Sequence, residues 1–321
     1  LTKNVYVAEF LGFIYESLVY LDEDQKAVPL LSDIWTVSDD GLTWNFHIRE
    51  GVKWHDGSSF TAEDVEFTFQ TLLTPGINSV YTPLLDNVLT FAAVDSYNFR
   101  VVLKKPNYFT AEMMTFPILP KHLSFNNVLS AKDFTPVGTG PYKFVSYKEK
   151  ENVVLKSNTD WWHLYTEEMK GKDAMYIDTI NVRIYKSHKD AMAALQAGQI
   201  DVAEIKSVDF EKYTGRTDLV IKKYTSRDFE FLALNVQNSV LKDAYARKAV
   251  SLAIDKEKLV SSTLLGEAVA SDLPVMQESW IFDMSSSSYV EAAETSGTED
   301  ISSAKTPEEA LEMGGWKRNQ Q

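Results

Sequence analysis

The spacing of apolar side chains changes along the chain from a helical period to a β-strand period. Residues 5–20 carry apolar side chains at helical spacing, which predicts a first helix built on Val5, Phe10, Leu11, Ile14, Leu18 and Val19. From 33 to 56 apolar side chains recur at about every second residue, and Asp39-Asp40-Gly41 separates the two runs. Because Asp-Gly is a strong turn dipeptide, this stretch predicts a β-hairpin or meander.

A second helix is predicted to begin after Asp56-Gly57. Thr61 can cap this helix while Asp64 occupies its third position, as in a capping box. Farther on, residues 88–103 alternate as two strands, with a turn at Tyr97-Asn98.

An α/β passage is predicted beyond the glycine-rich turn at Val137–Tyr142. Strands are predicted at 142–147, 152–156, 180–185, 200–205, 218–224 and 229–235. Ser187 caps a helix that Gly198 closes, so 180–205 reads as a strand–helix–strand unit and predicts a parallel or mixed sheet. Another helix is predicted from Lys242 to Asp255.

The last fifty residues change in composition. Residues 283–305 are rich in Ser, Glu, Thr and Ala, which predicts a linker. Thr306-Pro307 with Glu309 then carries the signals of a helix start. Because this helix begins so close to Gln321, we expect the sequence to continue beyond it.

Composition and charge exclude several classes of protein. The chain of 321 residues is 44% hydrophobic, enough for about two folding units. Its net charge of -14 argues against nucleic acid and anionic lipid as partners. The chain has no cysteine, so disulfides and thiolate nucleophiles are excluded. No apolar run reaches the roughly 20 residues of a membrane span.

The sequence contains no phosphate-binding, zinc-binding or catalytic motif. Gly138-Thr139-Gly140 lacks the Lys-Ser/Thr of a phosphate-binding loop, and we interpret it as a tight turn. The five histidines show no zinc-ligand spacing, the acidic pairs Asp39-Asp40 and Glu63-Asp64 belong to turns and caps, and no nucleophile elbow occurs. We therefore predict no catalytic residue, no metal site and no cofactor.

Five sequence stretches carry a family resemblance. In order over residues 31–256, they resemble the extracellular solute-binding proteins of family 5, the peptide- and nickel-type (cluster C) proteins of ABC importers. The stretches are Leu31–Trp35 with Asp40–Arg49, Gly51–Gly57 with Phe60–Val65, Ile118–His122, Val137–Tyr142 and Ala246–Lys256.

The resemblance implies an α/β fold: a lobe like that of a type II periplasmic binding protein, with a mixed sheet and an inserted β-rich subdomain. It places the core of lobe one at 1–29 and 135–270, and the inserted subdomain at 30–134. Residues 271–321 would be a linker and the start of a second lobe. In the family the second lobe normally follows the stretch that ends here at Trp316, so we expect half of the ligand cleft to lie outside this sequence.

The function implied is binding without catalysis. Such a protein would capture oligopeptides or dipeptides between two lobes and deliver them to the transmembrane permease subunits of an ABC importer. An oligosaccharide, a nickel chelate, an opine or haem are alternative solutes within the family. A secreted hydrolase, a signalling receptor and a chaperone are alternatives outside transport. We expect a monomer in the periplasm or outside the cell, anchored as a lipoprotein.

The resemblance also indicates where solute would be contacted. Tyr81 follows the second helix in a loop that related proteins place at the cleft. Tyr142 ends the glycine-rich turn near the same cleft. Thr225, Ser226 and Arg227 lie near the presumed hinge, where strand edges bind the main chain of a peptide.

Overall fold

The structure, a computed structural model, describes residues 9–77, 79–123, 135–166, 177–224, 226, 228–271, 274–282 and 301–318. The chain divides into two compact units, Leu1–His188 and Lys189–Gln321. The predicted division into a lobe-one core and an inserted subdomain stays a prediction. Among the described helices, none combines the length and apolar character needed to cross a bilayer.

The first unit begins with a short hairpin and a four-stranded sheet. Strands β1 (Val19–Leu21) and β2 (Ala27–Pro29) pair with each other. The antiparallel sheet that follows has the order β3-β4-β6-β5, from β3 (Ser32–Val37), β4 (Thr43–Ile48), β5 (Val88–Ala93) and β6 (Asn98–Leu103). The hairpin prediction and the two strands predicted over 88–103 are confirmed.

Helix α1 (Ala62–Leu72) covers the buried face of this sheet. Its Phe69 ring contacts Phe99 at 4.9 Å and Phe116 at 5.5 Å between ring centroids. Successive side chains of a strand point to opposite faces of the sheet. Trp44, Phe46 and Ile48 of β4 therefore lie on the face that α1 covers and are buried, while the residues between them are half-exposed. The result is the larger hydrophobic core of the unit, which extends from Leu18 to Ile118.

The predicted capping of α1 is present. The backbone N–H of Thr61 donates to the Asp64 carboxylate at 2.9 Å. The same carboxylate accepts the backbone N–H of Lys121 at 2.8 Å and the indole N–H of Trp54 at 3.3 Å. Asp64 therefore fixes the start of the helix to two other parts of the chain.

A second antiparallel sheet completes the first unit. It consists of β7 (Tyr142–Lys148), β8 (Asn152–Ser157) and β9 (Thr179–Arg183), in that order. Tyr142, Val153 and Leu155 pack against Ile14 to form a smaller core. The three strands predicted in this region are confirmed.

The helix predicted over residues 5–20 is wrong over most of its described length, because residues 12–18 form turns and irregular backbone. A helical turn covers 9–11, but Val19–Leu21 forms strand β1, and residues 5–8 lie outside the described part of the chain. Leu18 and Val19 are fully buried in the larger core. Pairing with β2 and burial in that core outweigh the helical spacing of these apolar residues.

In its described residues the second unit contains helices joined by irregular segments, and no strand. It contains α2 (His188–Gln196), α3 (Ala244–Ala253), α4 (Lys256–Thr263) and α5 (Pro307–Met313), with a 3-10 helix at Ser207–Lys212. Gly198 ends α2 with a φ of 66°, and the cap predicted for α5 is present. The helix predicted from Lys242 to Asp255 ends at Ala253, because Asp255 instead caps α4.

The strand–helix–strand prediction is wrong for the described residues. Residues 200–206, 218–224 and 228–235 form no strand there, and every strand pair in the described structure is antiparallel. Val202 and Val220 are 86% and 85% exposed. A strand needs a neighbour for its N–H and C=O groups, and alternation without such a neighbour does not make a sheet. The α/β class itself, with helices and sheets, is confirmed.

Candidate functional site

The glycine-rich turn lies directly on the backbone of the N-terminal segment. The N–H of Gly140 donates to the Ile14 carbonyl at 2.9 Å, and the N–H of Tyr142 donates to the Phe13 carbonyl at 2.9 Å. A Cβ atom on Gly138 would lie 1.8 Å from the Ile14 carbonyl oxygen. Glycine is required here by close backbone approach, so the structure confirms a tight turn.

The His55 side chain ties the β-rich part of the unit to this turn. Its Nε2 donates to the Gly140 carbonyl at 2.9 Å, and its Nδ1 accepts the N–H of Gly138 at 3.2 Å. These two bonds require a neutral ring with its proton on Nε2. Burial lowers the pKa of His55, which also favours the neutral form. His55 therefore has a structural role at the turn.

A buried carboxylate joins the same region to a pair of tryptophans. Glu16 is 7% exposed and accepts the indole N–H of Trp161 at 3.0 Å and that of Trp162 at 2.9 Å. The Thr139 hydroxyl also bonds to this carboxylate. Burial raises the pKa of Glu16 to about 7, while the three donors and the charge of Arg49 act in the opposite direction.

Sequence reasoning did not find Glu16. Its partners lie 145 and 146 residues away along the chain, so no local period or spacing indicates the contact. The nearest sequence signal is the Trp161-Trp162 pair itself, which stands just after the predicted strand 152–156.

The two tyrosines predicted to contact solute belong to different hydrophobic clusters. Tyr81 is half-buried at the edge of the larger core, where its ring centroid lies 6.4 Å from that of Phe116. Tyr142 is 8% exposed in the smaller core, and its hydroxyl donates to the Ile177 carbonyl at 2.9 Å. The structure does not bring the two rings together, and solute contact by either stays a prediction.

The other predicted contacts lie in the second unit. Ser226 is exposed, and its Oγ accepts the backbone N–H of Asp228 at 3.3 Å. Thr225 and Arg227 lie outside the described residues. Just beyond them Phe229 and Phe231 stack with ring centroids 6.0 Å apart, and Phe231 is 73% exposed. The role of Thr225, Ser226 and Arg227 stays a prediction.

Two further histidines contact carboxylates within the fold at hydrogen-bond distance. His47 Nδ1 lies 2.7 Å from the Asp33 carboxylate, and His122 Nε2 lies 2.6 Å from that of Asp56. Across the described part of the chain, no group of three or more His, Cys, Asp or Glu side chains is arranged to hold a metal ion.

Comparison with known proteins identifies the family to which the chain belongs. The model of the bacterial extracellular solute-binding proteins, family 5 Middle, matches residues 26–321. The oligopeptide-binding protein AppA of Bacillus subtilis is 27% identical over 278 residues, which cover 84% of this chain and 49% of AppA. The chain thus spans about half the length of the curated relatives it matches.

Solved structures agree with this match. NikZ of Campylobacter jejuni, in complex with Ni(L-His), is 29% identical with a TM-score of 0.70, over 85% of this chain and 54% of NikZ. The structure of B. subtilis AppA with a nonapeptide, at 24% identity, has the same fold with a TM-score of 0.67, over 98% of this chain and 60% of AppA. The chain belongs to the bacterial extracellular solute-binding proteins of family 5.

Proposed function

We propose that this chain supplies the first lobe of an extracytoplasmic protein that captures oligopeptides or dipeptides and delivers them to the permease of an ABC importer. The carrying observation is the family match over residues 26–321, combined with similarity to an oligopeptide-binding protein over 84% of the chain. The protein would act in the periplasm or outside the cell as a monomer, with a lipoprotein anchor.

The proposed mechanism is capture without chemistry. Solute enters an open cleft, the lobes close around it, and closure removes water from the solute and presents a surface to the permease. Peptide main chain can be recognised by the backbone groups of an exposed sheet edge. Residues 228–235 form no strand, so they provide no such edge, and the support for Thr225, Ser226 and Arg227 is the family resemblance. On that basis we keep these three residues, with Tyr81 and Tyr142, as the proposed contacts.

A nickel chelate is the second candidate solute. Its support is the similarity to NikZ, which was solved with Ni(L-His). Against this candidate, His47, His55 and His122 already bond to other groups of the fold. Peptide is therefore the solute we favour.

Native mass spectrometry of the protein purified from its own cells tests the proposal. Release of short peptides that differ by residue masses would support peptide capture and give the preferred length. A nickel chelate, sugar, opine or haem would retain solute binding and overturn the peptide assignment. Turnover of peptides or glycosides would refute the non-enzymatic proposal. A protein that emerges empty and binds no offered peptide would favour a receptor or chaperone.

The proposed contacts are tested separately with a matched pair of arginine variants. Arg227→Ala is expected to weaken peptide binding by about tenfold, because arginine is enriched among the few contact residues that carry most of the binding energy. Arg183→Ala, at an exposed position in β9, is the control and should leave affinity unchanged. Equal affinities for both variants in titration calorimetry would remove Arg227 from the site without affecting the family assignment.

A further inference from the structure

Glu16 lies where four parts of the first unit meet. Its backbone carbonyl accepts the N–H of Ile118 at 2.9 Å, which ties it to the larger core. Its carboxylate accepts the Thr139 hydroxyl from the glycine-rich turn and the indoles of Trp161 and Trp162 after β8. One side chain therefore joins the N-terminal segment to the turn and to the tryptophan pair.

Both oxygens of the carboxylate are in use. Oε1 accepts from Trp161 and Oε2 from Trp162. Hydrogen bonds to an ionised acceptor are about twice as strong as neutral ones. Protonation turns one oxygen into an O–H donor, but an indole N–H can only donate. Of the three partners, only the Thr139 hydroxyl can accept that proton. At least one indole bond must then weaken or break.

We propose that Glu16 is a pH-sensitive latch, whose carboxylate holds the Trp161–Trp162 pair against the N-terminal segment and whose protonation loosens that hold. The Glu16 side chain is buried, so loss of a hydrogen bond to its carboxylate is costly. The proposal concerns the first unit alone and does not depend on which solute the protein carries.

Burial places the proposed transition within the physiological range. It raises the pKa of Glu16 to about 7, although the bonded donors and Arg49 favour the charged form. The guanidinium of Arg49 lies 4.7 Å from the centroid of the Trp162 ring and donates through Nε to the Leu30 carbonyl at 3.0 Å. Burial also raises the pKa of the adjacent Tyr15 to about 12, so that phenol stays neutral through the transition.

Other charged and titratable groups near the latch define the controls. The His163 ring lies 5.0 Å from both Trp161 and Trp162, and imidazoles ordinarily change charge near neutral pH. His55 bonds to the residues on either side of Thr139, and burial lowers its pKa. Beside the tryptophans, Lys143 pairs with Asp160 at 3.6 Å. A control must therefore separate Glu16 from His163.

The test follows the indole N–H signals of ¹⁵N-tryptophan-labelled protein by NMR from about pH 4 to about pH 9. Two of the seven tryptophans, assigned with Trp161→Phe and Trp162→Phe, should shift together with a midpoint at about pH 7. Glu16→Gln should abolish this step. His163→Gln should retain it, as should Glu149→Gln, which changes an exposed carboxylate in the turn between β7 and β8.

Several results would refute the proposal that Glu16 is a pH-sensitive latch. They are a midpoint near the ordinary 4.5 of glutamate, no step at all, a step retained in Glu16→Gln, or a step lost in His163→Gln. If Glu16→Gln does not fold, ¹³C titration of the side-chain carboxyls in the unmodified protein decides. One glutamate that titrates in step with the two indoles supports the latch. Glutamates that all titrate near 4.5 refute it.

Discussion

Gly138→Ala should be among the most damaging single-methyl additions in the first unit. The new Cβ would lie 1.8 Å from the Ile14 carbonyl oxygen and 2.5 Å from its carbonyl carbon. Real Cβ atoms essentially never approach other atoms that closely, and neither partner is a side chain that can rotate away. The turn and the N-terminal segment must therefore move apart by more than an ångström.

That movement breaks specific hydrogen bonds. The bond from the Gly140 N–H to the Ile14 carbonyl, at 2.9 Å, crosses this junction. The turn is also held by the His55 N–H, which donates to the Gly138 carbonyl at 2.8 Å, and by the Gly138 N–H, which donates to His55 Nδ1 at 3.2 Å. Overpacking costs roughly 1–3 kcal/mol, and each lost hydrogen bond adds about 0.5–1.5 kcal/mol. We expect a loss of about 4 kcal/mol in the free energy of unfolding, or about 10 °C in Tm for a unit of this size.

Gly12→Ala provides the matched control. Its Cβ would lie 3.2 Å from the Glu9 carbonyl oxygen, a contact that a shift of a few tenths of an ångström relieves. Urea denaturation followed by circular dichroism gives both free energies of unfolding. If the two variants differ by less than about 1 kcal/mol, the close approach of Gly138 to Ile14 does not stabilise this fold.

Three further predictions concern stability. Asp64→Ala leaves three donors without their acceptor and should cost about 3 kcal/mol in urea denaturation, whereas Glu63→Ala, which removes only an exposed ion pair with Lys121, should change little. Tyr142→Phe removes the hydroxyl that donates to Ile177 and should cost about 1 kcal/mol; an unchanged Tm would contradict that bond. The pKa of Glu16 is raised from 4.5 to about 7, so the folded protein binds more protons in that window. Its free energy of unfolding should therefore fall by about 3 kcal/mol as pH rises from about 4.5 to about 7, relative to Glu16→Gln at the same pH values.

Local sequence rules predicted the elements whose stabilising contacts are themselves local. The β3–β4 hairpin follows from alternation around Asp-Gly, and the two helix starts at Thr61 and Thr306 follow from a cap with an acid three residues later. Each signal lies within a few residues of the structure it specifies. For this reason these elements were found without knowledge of the rest of the fold.

Predictions failed where a distant contact decides the structure. Val19 fits a helical period, yet its pairing with Pro29 and its complete burial make it part of a strand. Residues 200–205 alternate as a strand should, but the described chain gives them no partner. Glu16 reads as an ordinary polar position of a helix, and only the folded chain shows the two indoles that surround it.

The motifs that carry the family resemblance contact one another across the fold. His55 bonds to Gly140, 85 residues away; Asp56 pairs with His122, 66 residues away; and Asp64 accepts the N–H of Lys121, 57 residues away. Substitution at any of these positions would disturb a junction between segments, whatever the solute. The same residues can therefore reveal the family and say nothing of the ligand, since a fold accommodates many ligands through residues outside its structural junctions.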